Sequence, residues 1–352
     1  MSETTTRTPY DDGLFMPARW VEHERTLVSW PCLEWAFATG HLEDAKAEWA
    51  EVIRAILRFE PVTVIAAPGH REEVVNACGA SVGVFEIPID DCWIRDNGPI
   101  FVVDGAGGVA MIDFGFNAWG GLNAEWANDD AVPERLADLL GMRRYRAPII
   151  SEGGGITCDG EGTVITTESV LLNPNRNPGL TKADIELVLR NYLGAEKVIW
   201  LPYGLAEDMG EFGTGGHSDN VVQFTRPGQV LFQAAPSRSD PNWELAAANR
   251  ARLVGETDAT GRPIEIVEIE LLPMTREIEG RSNAAPYTNF YPVNGGIIAP
   301  RLGISDDDVA FRLLGELFPG REVVGVPTDV QAYGGGGIGC ITQQVPAGTP
   351  LT

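Results

Sequence analysis

The apolar positions of this chain follow two spacings, one typical of helices and one typical of strands. Residues 43–58 place apolar side chains on one face of a predicted helix, at Ala45, Trp49, Val52, Ile53 and Ile56. The β-branched run VTVIAA at 62–67 predicts a strand, because it is short and ends at Pro68-Gly69. Strand-like and helical stretches alternate along the rest of the chain, which predicts a mixed α/β architecture.

Two later segments carry the signature of a helix N-terminus, a Ser or Thr followed by an acid three residues later. At 181–184 this pattern predicts a helix that ends at Gly194. Ser305 and Asp308 repeat the pattern and predict a helix over 309–318, before a Pro-Gly stop. Both segments support the α/β interpretation.

Short loops rich in Gly, Asn or Asp recur along the chain at intervals of roughly 50–70 residues. They lie at 29–31, 93–99, 152–155, 215–220, 289–296 and 334–340. This spacing predicts a repeated unit of strands plus one helix. Because no long linker or low-complexity segment divides the chain, we expect a single domain over 1–352.

Composition and charge limit the kinds of molecule that we expect the protein to bind. The chain has 352 residues, 44% of them hydrophobic, which is ample for a sizeable buried core. Its 50 acids and 26 bases give a net charge of −24, which disfavours nucleic acid and anionic membrane surfaces as partners. The same charge is compatible with a small cationic substrate, although most of these acids are expected simply to keep the surface soluble.

The N-terminal segment and the cysteines bear on location. The start of the chain lacks the basic and apolar regions of a signal peptide, and no apolar run is long enough to span a bilayer. The five cysteines are scattered and form no disulfide or CxxC pattern. We therefore expect a reducing cytoplasm, and the sequence leaves the oligomeric state, including a homo-oligomer, open.

Cys340 is the cysteine best placed to act as a nucleophile. It ends the run GGGGIGC, in which the lack of side chains lets backbone N–H groups and a ligand approach the sulfur. The alternative is a tight turn that holds a small buried cysteine. Cys92 lies in a similar loop, but its neighbours Asp90 and Asp91 disfavour a thiolate there.

A nucleophilic cysteine needs a base, and His217 is the best candidate among four histidines. It follows two glycines and precedes Ser218-Asp219-Asn220 and a strand-like run, so that in extended geometry His217 and Asp219 share a face. A zinc site on this pair is the alternative, but it lacks a third nearby ligand. The remaining histidines lie in polar stretches and are predicted to be surface residues, at positions His23, His41 and His70.

Two further acids lie in loops of the same small-residue type. Asp96 precedes Asn-Gly-Pro in WIRDNGP, and Glu152 opens EGGG, although each alone is equally well explained as a turn former. Taken together, the acids, the histidine and the cysteine suit a flat cation with several N–H donors. A guanidinium matches two carboxylates in bidentate fashion, and the ring of Trp93 is a candidate to cover its face.

The motifs that carry these residues resemble those of the agmatine deiminases, within the wider peptidyl-arginine-deiminase-like family of guanidine-modifying enzymes. The resemblance runs from MPARW at 16–20 almost to the C-terminus. It includes WIRDNGP, FNAWGG, EGGG, TTESVLLNPNRNPGL, IWLPYGL, GHSDNVVQF, YTNFYPVNGG and CITQQVP.

The resemblance implies a five-bladed α/β-propeller, the pentein fold, built from five ββαβ units around a central active site. It also implies a hydrolysis without cofactor or metal. By match of motif, Cys340 is the expected nucleophile, His217 the acid/base, and Glu152 the acid that holds the histidine. Asp96 and Asp219 are the expected pair that grips the guanidinium. With agmatine as substrate, the product would be N-carbamoylputrescine.

Several positions depart from the family pattern. Arg19 stands where the family usually has Glu, and Gly213 replaces an acid four residues before the histidine. Gly337 and Gly339 replace the Asn and His of an Asn-Ile-His-Cys ending, and WPCLEW at 30–35 replaces a different loop. We expect these changes at the far end of the substrate pocket, with Gly337 lining the substrate site.

These departures leave the substrate less defined than the reaction. Glu207, Asp208 or Glu211 could replace the lost acid, whereas Arg19 at the pocket mouth would favour a carboxylate or neutral tail. The alternative substrates are an arginine derivative, a peptidyl arginine or a guanidino secondary metabolite. A binding protein on the same scaffold is the non-enzymatic alternative, and the full catalytic set argues against it.

Overall fold

The computed structural model describes residues 7–33, 37, 40–210 and 213–352. Three residues considered above, Glu34 and Trp35 of the WPCLEW segment and Glu211, lie outside these ranges. No helix within the described ranges is both long enough and apolar enough to cross a membrane.

Strands and helices alternate as the apolar spacings predict. The strands β1 to β17 are His23–Ser29, Val62–Ala66, Gly83–Glu86, Ile100–Val103, Gly108–Gly115, Arg144–Ile150, Ile156–Cys158, Thr163–Thr167, Lys197–Leu201, Val222–Arg226, Gln229–Gln233, Glu265–Ile269, Tyr291–Val293, Gly296–Arg301, Glu322–Pro327, Thr342–Pro346 and Thr349–Pro350. The helices α1 to α11 are Leu42–Ile56, Arg71–Cys78, Ile94–Asn97, Ala118–Gly121, Ala127–Asp130, Val132–Leu140, Glu168–Leu171, Lys182–Leu193, Trp243–Leu253, Ser305–Leu317 and Asp329–Tyr333.

The strands of the described residues form five small sheets that share one connectivity. In β7–β8–β9, for example, β7 and β8 pair antiparallel, α8 follows, and β9 returns parallel to β8. The sheets β10–β11–β12 and β13–β14–β15 repeat this order around α9 and α10. The sheet β4–β5–β6 repeats it around α6, so that the predicted ββαβ repeat is confirmed.

The fifth sheet joins the two ends of the chain. Its first strand comes from the C-terminal region: β16 pairs antiparallel with β1, which pairs parallel with β2 and through it with β3. Cys340 lies two residues before β16 begins. The pairing that completes this sheet therefore also places the predicted nucleophile beside the N-terminal strand.

The expected helices are present, with one correction. All five apolar positions predicted for α1 are buried, and α8 begins at the capping box of Thr181 and Asp184 and ends at Gly194 in the left-handed region. Helix α10 begins at Ser305, earlier than expected. Its first turn is capped by Asp307, whose carboxylate accepts the backbone N–H of Ile304 at 3.1 Å, so the assignment of this cap to Asp308 was wrong.

Candidate active site

Cys340 lines a cavity of about 1060 Å³. A turn holds the backbone around it, because Cys340 N–H donates to the carbonyl of Gly337 at 3.0 Å. The carbonyl of Cys340 in turn accepts the backbone N–H of Arg95 at 3.0 Å, which ties the cysteine loop to α3. Cys340 is thus buried in the protein and held at the cavity wall by its own backbone.

Asn289 holds the cysteine loop from the opposite side. Its side-chain oxygen accepts the backbone N–H of Gly339 at 2.7 Å, and its amide nitrogen lies 3.6 Å from Cys340 Sγ and 2.9 Å from Asn220 Oδ1. The sequence reasoning did not single out Asn289. The signal was its place in YTNFYPVNGG, one of the motifs that carry the family resemblance.

His217 is held by a buried ion pair. Its Nε2 lies 3.3 Å from Glu152 Oε2, and Arg176 Nε donates to both oxygens of Glu152 at 2.9 and 3.0 Å. Burial alone would lower the pKa of His217, but the carboxylates of Asp96 and Glu152 outweigh it and raise the pKa to about 9. At neutral pH His217 is therefore an imidazolium that can give up a proton.

Glu152 stays ionised despite complete burial. Burial by itself would raise its pKa, yet the charge of Arg176 and the hydrogen bond with His217 lower it to about 2. The motif EGGG permits this packing, because a Cβ at Gly154 would lie 2.4 Å from His217 Nδ1. The glycine at 154 is thus required by the close approach of the imidazole.

Asp96 lies on α3, a single helical turn, rather than at the loop tip that the sequence suggested. Its Oδ1 accepts the backbone N–H of Gly154 at 3.1 Å and lies 3.7 Å from His217 Nδ1. Its Oδ2 accepts the indole N–H of Trp119 at 3.0 Å. Burial raises the pKa of Asp96 to about 6, although the charge of His217 opposes the shift.

Asp219 differs from Glu152 and Asp96 in its hydrogen bonding. It is 1% exposed, and neither of its side-chain oxygens has a hydrogen-bond partner among the described residues. Burial raises its pKa, and the charges of His217, Arg19 and Arg95 oppose that rise. A buried carboxylate without donors is costly, so Asp219 is poised to accept donors from a bound cation.

The local geometry around His217 differs from the extended pairing that we expected. Residues 218–220 form a 3₁₀ turn, and β10 begins only at Val222, so His217 and Asp219 are not alternate residues of a strand. Both side chains are nevertheless brought to the same centre. The turn is ordered by Asp208, whose carboxylate accepts the backbone N–H groups of Thr214 at 2.9 Å and His217 at 2.8 Å.

The cavity also contains the ring that was expected to cover the substrate. Trp93 lines it and packs against Trp49 and Phe37, with ring centroids 5.7 and 6.3 Å away. Gly213 lines both this cavity and a neighbouring cavity of about 230 Å³. Gly337 lines the neighbouring cavity only, next to Asn289.

Arg19 does not lie at the pocket mouth. It is 5% exposed, interacts electrostatically with Asp219, and is not among the described residues that line either cavity. Asp208 uses its carboxylate in the turn before His217, and Glu207 accepts a hydrogen bond from the side-chain amide of Asn242 at 3.0 Å. These two acids therefore have structural partners of their own.

Two other assignments can be compared with the structure. The prediction that His23 lies at the surface was wrong: the residue is 4% exposed and lies 2.9 Å from Glu60 Oε1 through its Nδ1. Cys92 is buried, and burial together with Asp91 raises its pKa well above the ordinary value, as expected. Within the described ranges, no three His, Cys, Asp or Glu side chains are arranged to hold a metal ion.

Comparison with known proteins identifies the family. Residues 15–346 match the family model of the Porphyromonas-type peptidyl-arginine deiminases. The chain is 42% identical over 365 residues to agmatine deiminase of Pseudomonas aeruginosa, covering 97% of this chain and 98% of that one. Among solved structures, agmatine deiminase of Enterococcus faecalis superposes with a TM-score of 0.91 at 33% identity, covering 99% and 100% of the two chains.

A substrate-bound agmatine deiminase of C. jejuni superposes with a TM-score of 0.85 at 25% identity, covering 96% of this chain and 97% of that one. The five ββαβ sheets are thus the blades of the α/β-propeller that the resemblance implied. The extent of the matches covers every site residue described above. This chain belongs to the family of Porphyromonas-type peptidyl-arginine deiminases.

Proposed function

We propose that the chain hydrolyses a small guanidine, with agmatine and water giving N-carbamoylputrescine and ammonia. The observation that carries the proposal is the pair of free oxygens of Asp219, buried within electrostatic range of Cys340 and His217. A guanidinium offers the N–H donors that this carboxylate lacks, and Asp96 would hold it from a second side. Clamping the cation in this way would fix its central carbon in front of the sulfur.

The charge of the substrate also bears on the nucleophile. Burial raises the pKa of Cys340 well above its ordinary value, and the charges of Asp219 and Asp96 add to this effect. A bound guanidinium would neutralise those carboxylates and so favour the thiolate. We therefore expect the reactive form of Cys340 to accumulate when substrate binds.

The proposed reaction then proceeds in two halves. The Cys340 thiolate forms a bond to the guanidinium carbon, and the His217 imidazolium transfers its proton to the departing nitrogen, so that ammonia leaves. A cationic S-amidino thioether remains on Cys340. Neutral His217 takes a proton from water as the water oxygen attacks the same carbon. The carbon–sulfur bond breaks, the thiolate is restored, the remaining hydroxyl proton passes to solvent as the carbonyl forms, and the ureido product leaves.

The cavity walls favour a cationic substrate tail. Asp90, Glu125 and Glu279 line the described part of the cavity, together with one cation, Arg281. Their summed charge is negative, which attracts the terminal ammonium of agmatine and disfavours a carboxylate tail. Because Arg19 is buried and is not among the described residues that line the cavity, it gives no support for a carboxylate at the pocket mouth. These features support agmatine over guanidines with acidic tails.

Ammonia release measured across a panel of guanidines tests the proposal. The panel contains agmatine, 4-guanidinobutyrate, free arginine and a blocked arginine peptide, and we expect the highest kcat/KM for agmatine. If agmatine is slower than any other member by more than about tenfold, about 1.4 kcal/mol in transition-state binding, the agmatine assignment is wrong. Acid quench and mass spectrometry during turnover should show an added amidine on Cys340, and no release from any guanidine would contradict the deiminase assignment.

A further inference from the structure

Arg19 is a buried cation with donors that the protein does not satisfy. The residue is 5% exposed, and both its Nε and its Nη2 are buried without a hydrogen-bond partner in the part of the chain that the structure describes. Its guanidinium carbon lies 5.7 Å from the centre of the Tyr291 ring. A guanidinium keeps its charge at any ordinary pH, so Arg19 brings a permanent positive charge into the interior.

The backbone at this position is firmly held. The carbonyl of Arg19 accepts a hydrogen bond from His23 Nε2 at 2.8 Å, and His23 Nδ1 lies 2.9 Å from Glu60 Oε1. Glu60 in turn accepts the hydroxyl proton of Thr26 and the backbone N–H of Asn294. The fully buried His23–Glu60 pair thus anchors the point from which the Arg19 side chain extends.

The charge of Arg19 acts mainly on Asp219. Burial would lower the pKa of Arg19, and the largest opposing influence is the Asp219 carboxylate, followed by Tyr291 and Cys340. Within the described residues, the buried Nε and Nη2 of Arg19 and both oxygens of Asp219 lack hydrogen-bond partners, so these groups do not satisfy one another directly. Arg19 therefore attracts the charge of Asp219 without occupying the oxygens that a substrate would use.

Other charged groups face Asp219 as well. His217 and Arg95 favour the ionised form of Asp219. That form is disfavoured by the negative charges of Asp208, Asp96 and ionised Cys340. His217 changes its charge during the proposed reaction. Arg95 donates to Gln344 Oε1 at 2.8 Å and lies 3.4 Å from the carbonyl of Gly339. Arg19 and Arg95 both keep their charge, but Arg95 has acceptors for its side chain, whereas Nε and Nη2 of Arg19 have none among the described residues.

We infer that Arg19 is a positioning residue for guanidine deimination, whose fixed charge favours the ionised forms of the Asp219 carboxylate and the Cys340 sulfur while leaving both free to meet the substrate. The inference rests on the proposed function. It assigns a role to a position at which this chain departs from the Glu usual in the family it resembles. Replacing an anion by a cation here changes the local charge by two, enough to alter how both groups titrate.

The pH profile of kcat/KM for the best guanidine of the panel tests this role. Arg19→Met removes the charge and keeps much of the volume, Arg19→Lys keeps the charge, and Arg321→Met is a matched control. Arg321 is a half-buried arginine that donates to the backbone carbonyls of Val293 and Trp20 and does not line the described cavity. It should report any general effect of removing a partly buried arginine.

We expect the acid limb of the Arg19→Met profile to move to higher pH by about one unit, because the carboxylate loses a stabilising charge. Activity at pH 6 should fall about fivefold more than activity at pH 8. Arg19→Lys should restore the acid limb and Arg321→Met should leave it in place. An unchanged acid limb in Arg19→Met, or an equal shift in Arg321→Met, would overturn the inference.

A second measurement does not depend on turnover. Alkylation of Cys340 by iodoacetamide, followed by mass spectrometry of its peptide, reports the thiolate as a function of pH. Arg19→Met should need a higher pH than the wild type for the same rate. If the wild type alkylates but deiminates no guanidine, the proposed function fails while this comparison still tests Arg19. Identical alkylation profiles of the two proteins would contradict a role for its charge at Cys340.

Discussion

The environments of Cys340 and Cys92 differ in what each sulfur faces. Both are buried, but Cys340 lines the cavity whereas Cys92 is not among its described lining residues. We expect Cys340→Ala to lower kcat by several orders of magnitude, because the remaining groups can bind but cannot attack. Cys92→Ala is the matched control and should keep most of the activity. An amidine adduct found on Cys92 after acid quench would contradict the assignment.

Two titrating groups set the expected pH dependence. The guanidinium clamp needs an ionised Asp96, whose pKa is raised to about 6, and ammonia departure needs a protonated His217, whose pKa is raised to about 9. The profile of kcat/KM should therefore be bell-shaped, falling below about 6 as the carboxylate gains a proton and above about 9 as the imidazolium loses one. Because Asp96 and Asp219 interact, the acid limb belongs to the pair. A profile that stays flat between pH 5 and 7 would contradict this assignment.

At the scale of single residues, the composition of the loops indicated which side chains come together around Cys340. It did not indicate the residues that hold those side chains in place. The side chains that the structure gathers around Cys340 include His217, Glu152, Asp96 and Asp219. Arg176, which donates to Glu152, was not singled out, although it lies in TTESVLLNPNRNPGL, one of the motifs that carry the resemblance. The burial of His23 was missed for a different reason: its surroundings in the sequence are charged, but Glu60 satisfies it in the fold.

The turn at α4 holds a donor to Asp96 in an unusual backbone conformation. Ala118 and Trp119 have φ angles of 53° and 54°, in the left-handed region that costs non-glycine residues about 1–2 kcal/mol each. Gly120 and Gly121 continue the turn, and the side-chain oxygen of Asn117 accepts the N–H of Gly120 at 2.9 Å. This strained backbone conformation places the indole N–H of Trp119 within hydrogen-bond distance of Asp96.

Trp119→Phe should weaken the grip on the guanidinium. The phenyl ring keeps most of the packing but lacks the N–H that donates to Asp96 Oδ2. A hydrogen bond to a charged group is worth about 1.5–3 kcal/mol, so we expect kcat/KM to fall roughly 10- to 100-fold. The control is Trp126→Phe, at a half-buried tryptophan outside the described cavity lining. Equal activity in the two variants would show that the indole N–H does not support Asp96.

Regular elements were more predictable than this turn. The apolar face of α1 and the capping box of α8 are local patterns, and the structure confirms both. The single turn of α3 is too short to show a helical period, so Asp96 was read as part of a loop. The left-handed turn at α4 could not be predicted, because neither Ala nor Trp favours a positive φ and tertiary contacts impose it.

At the scale of the whole molecule, the spacing of the loops indicated repeated units but not how the ends meet. The pairing of β1 with β16 joins Leu27 to Gln343, and such long-range register leaves no mark in a single sequence. The consequence for function is direct, because β16 begins two residues after Cys340. The strand pairing that joins the two ends of the chain therefore also places the nucleophile.

Leu27→Ala tests this coupling. Leu27 is fully buried in β1, in a cluster with Ile65, Val109 and Val345, the last of them on β16. Removing its side chain should cost about 2–5 kcal/mol of unfolding free energy, whereas Leu187→Ala, at a residue 58% exposed on α8, should cost far less. Because the pairing of β1 with β16 positions Cys340, ammonia release and tryptophan fluorescence should be lost at the same urea concentration in each protein. The midpoint of this transition should be lowered only in Leu27→Ala. If activity disappears at a much lower urea concentration than the fluorescence transition, the active site is lost while the β1–β16 pairing is still intact, and the coupling is wrong.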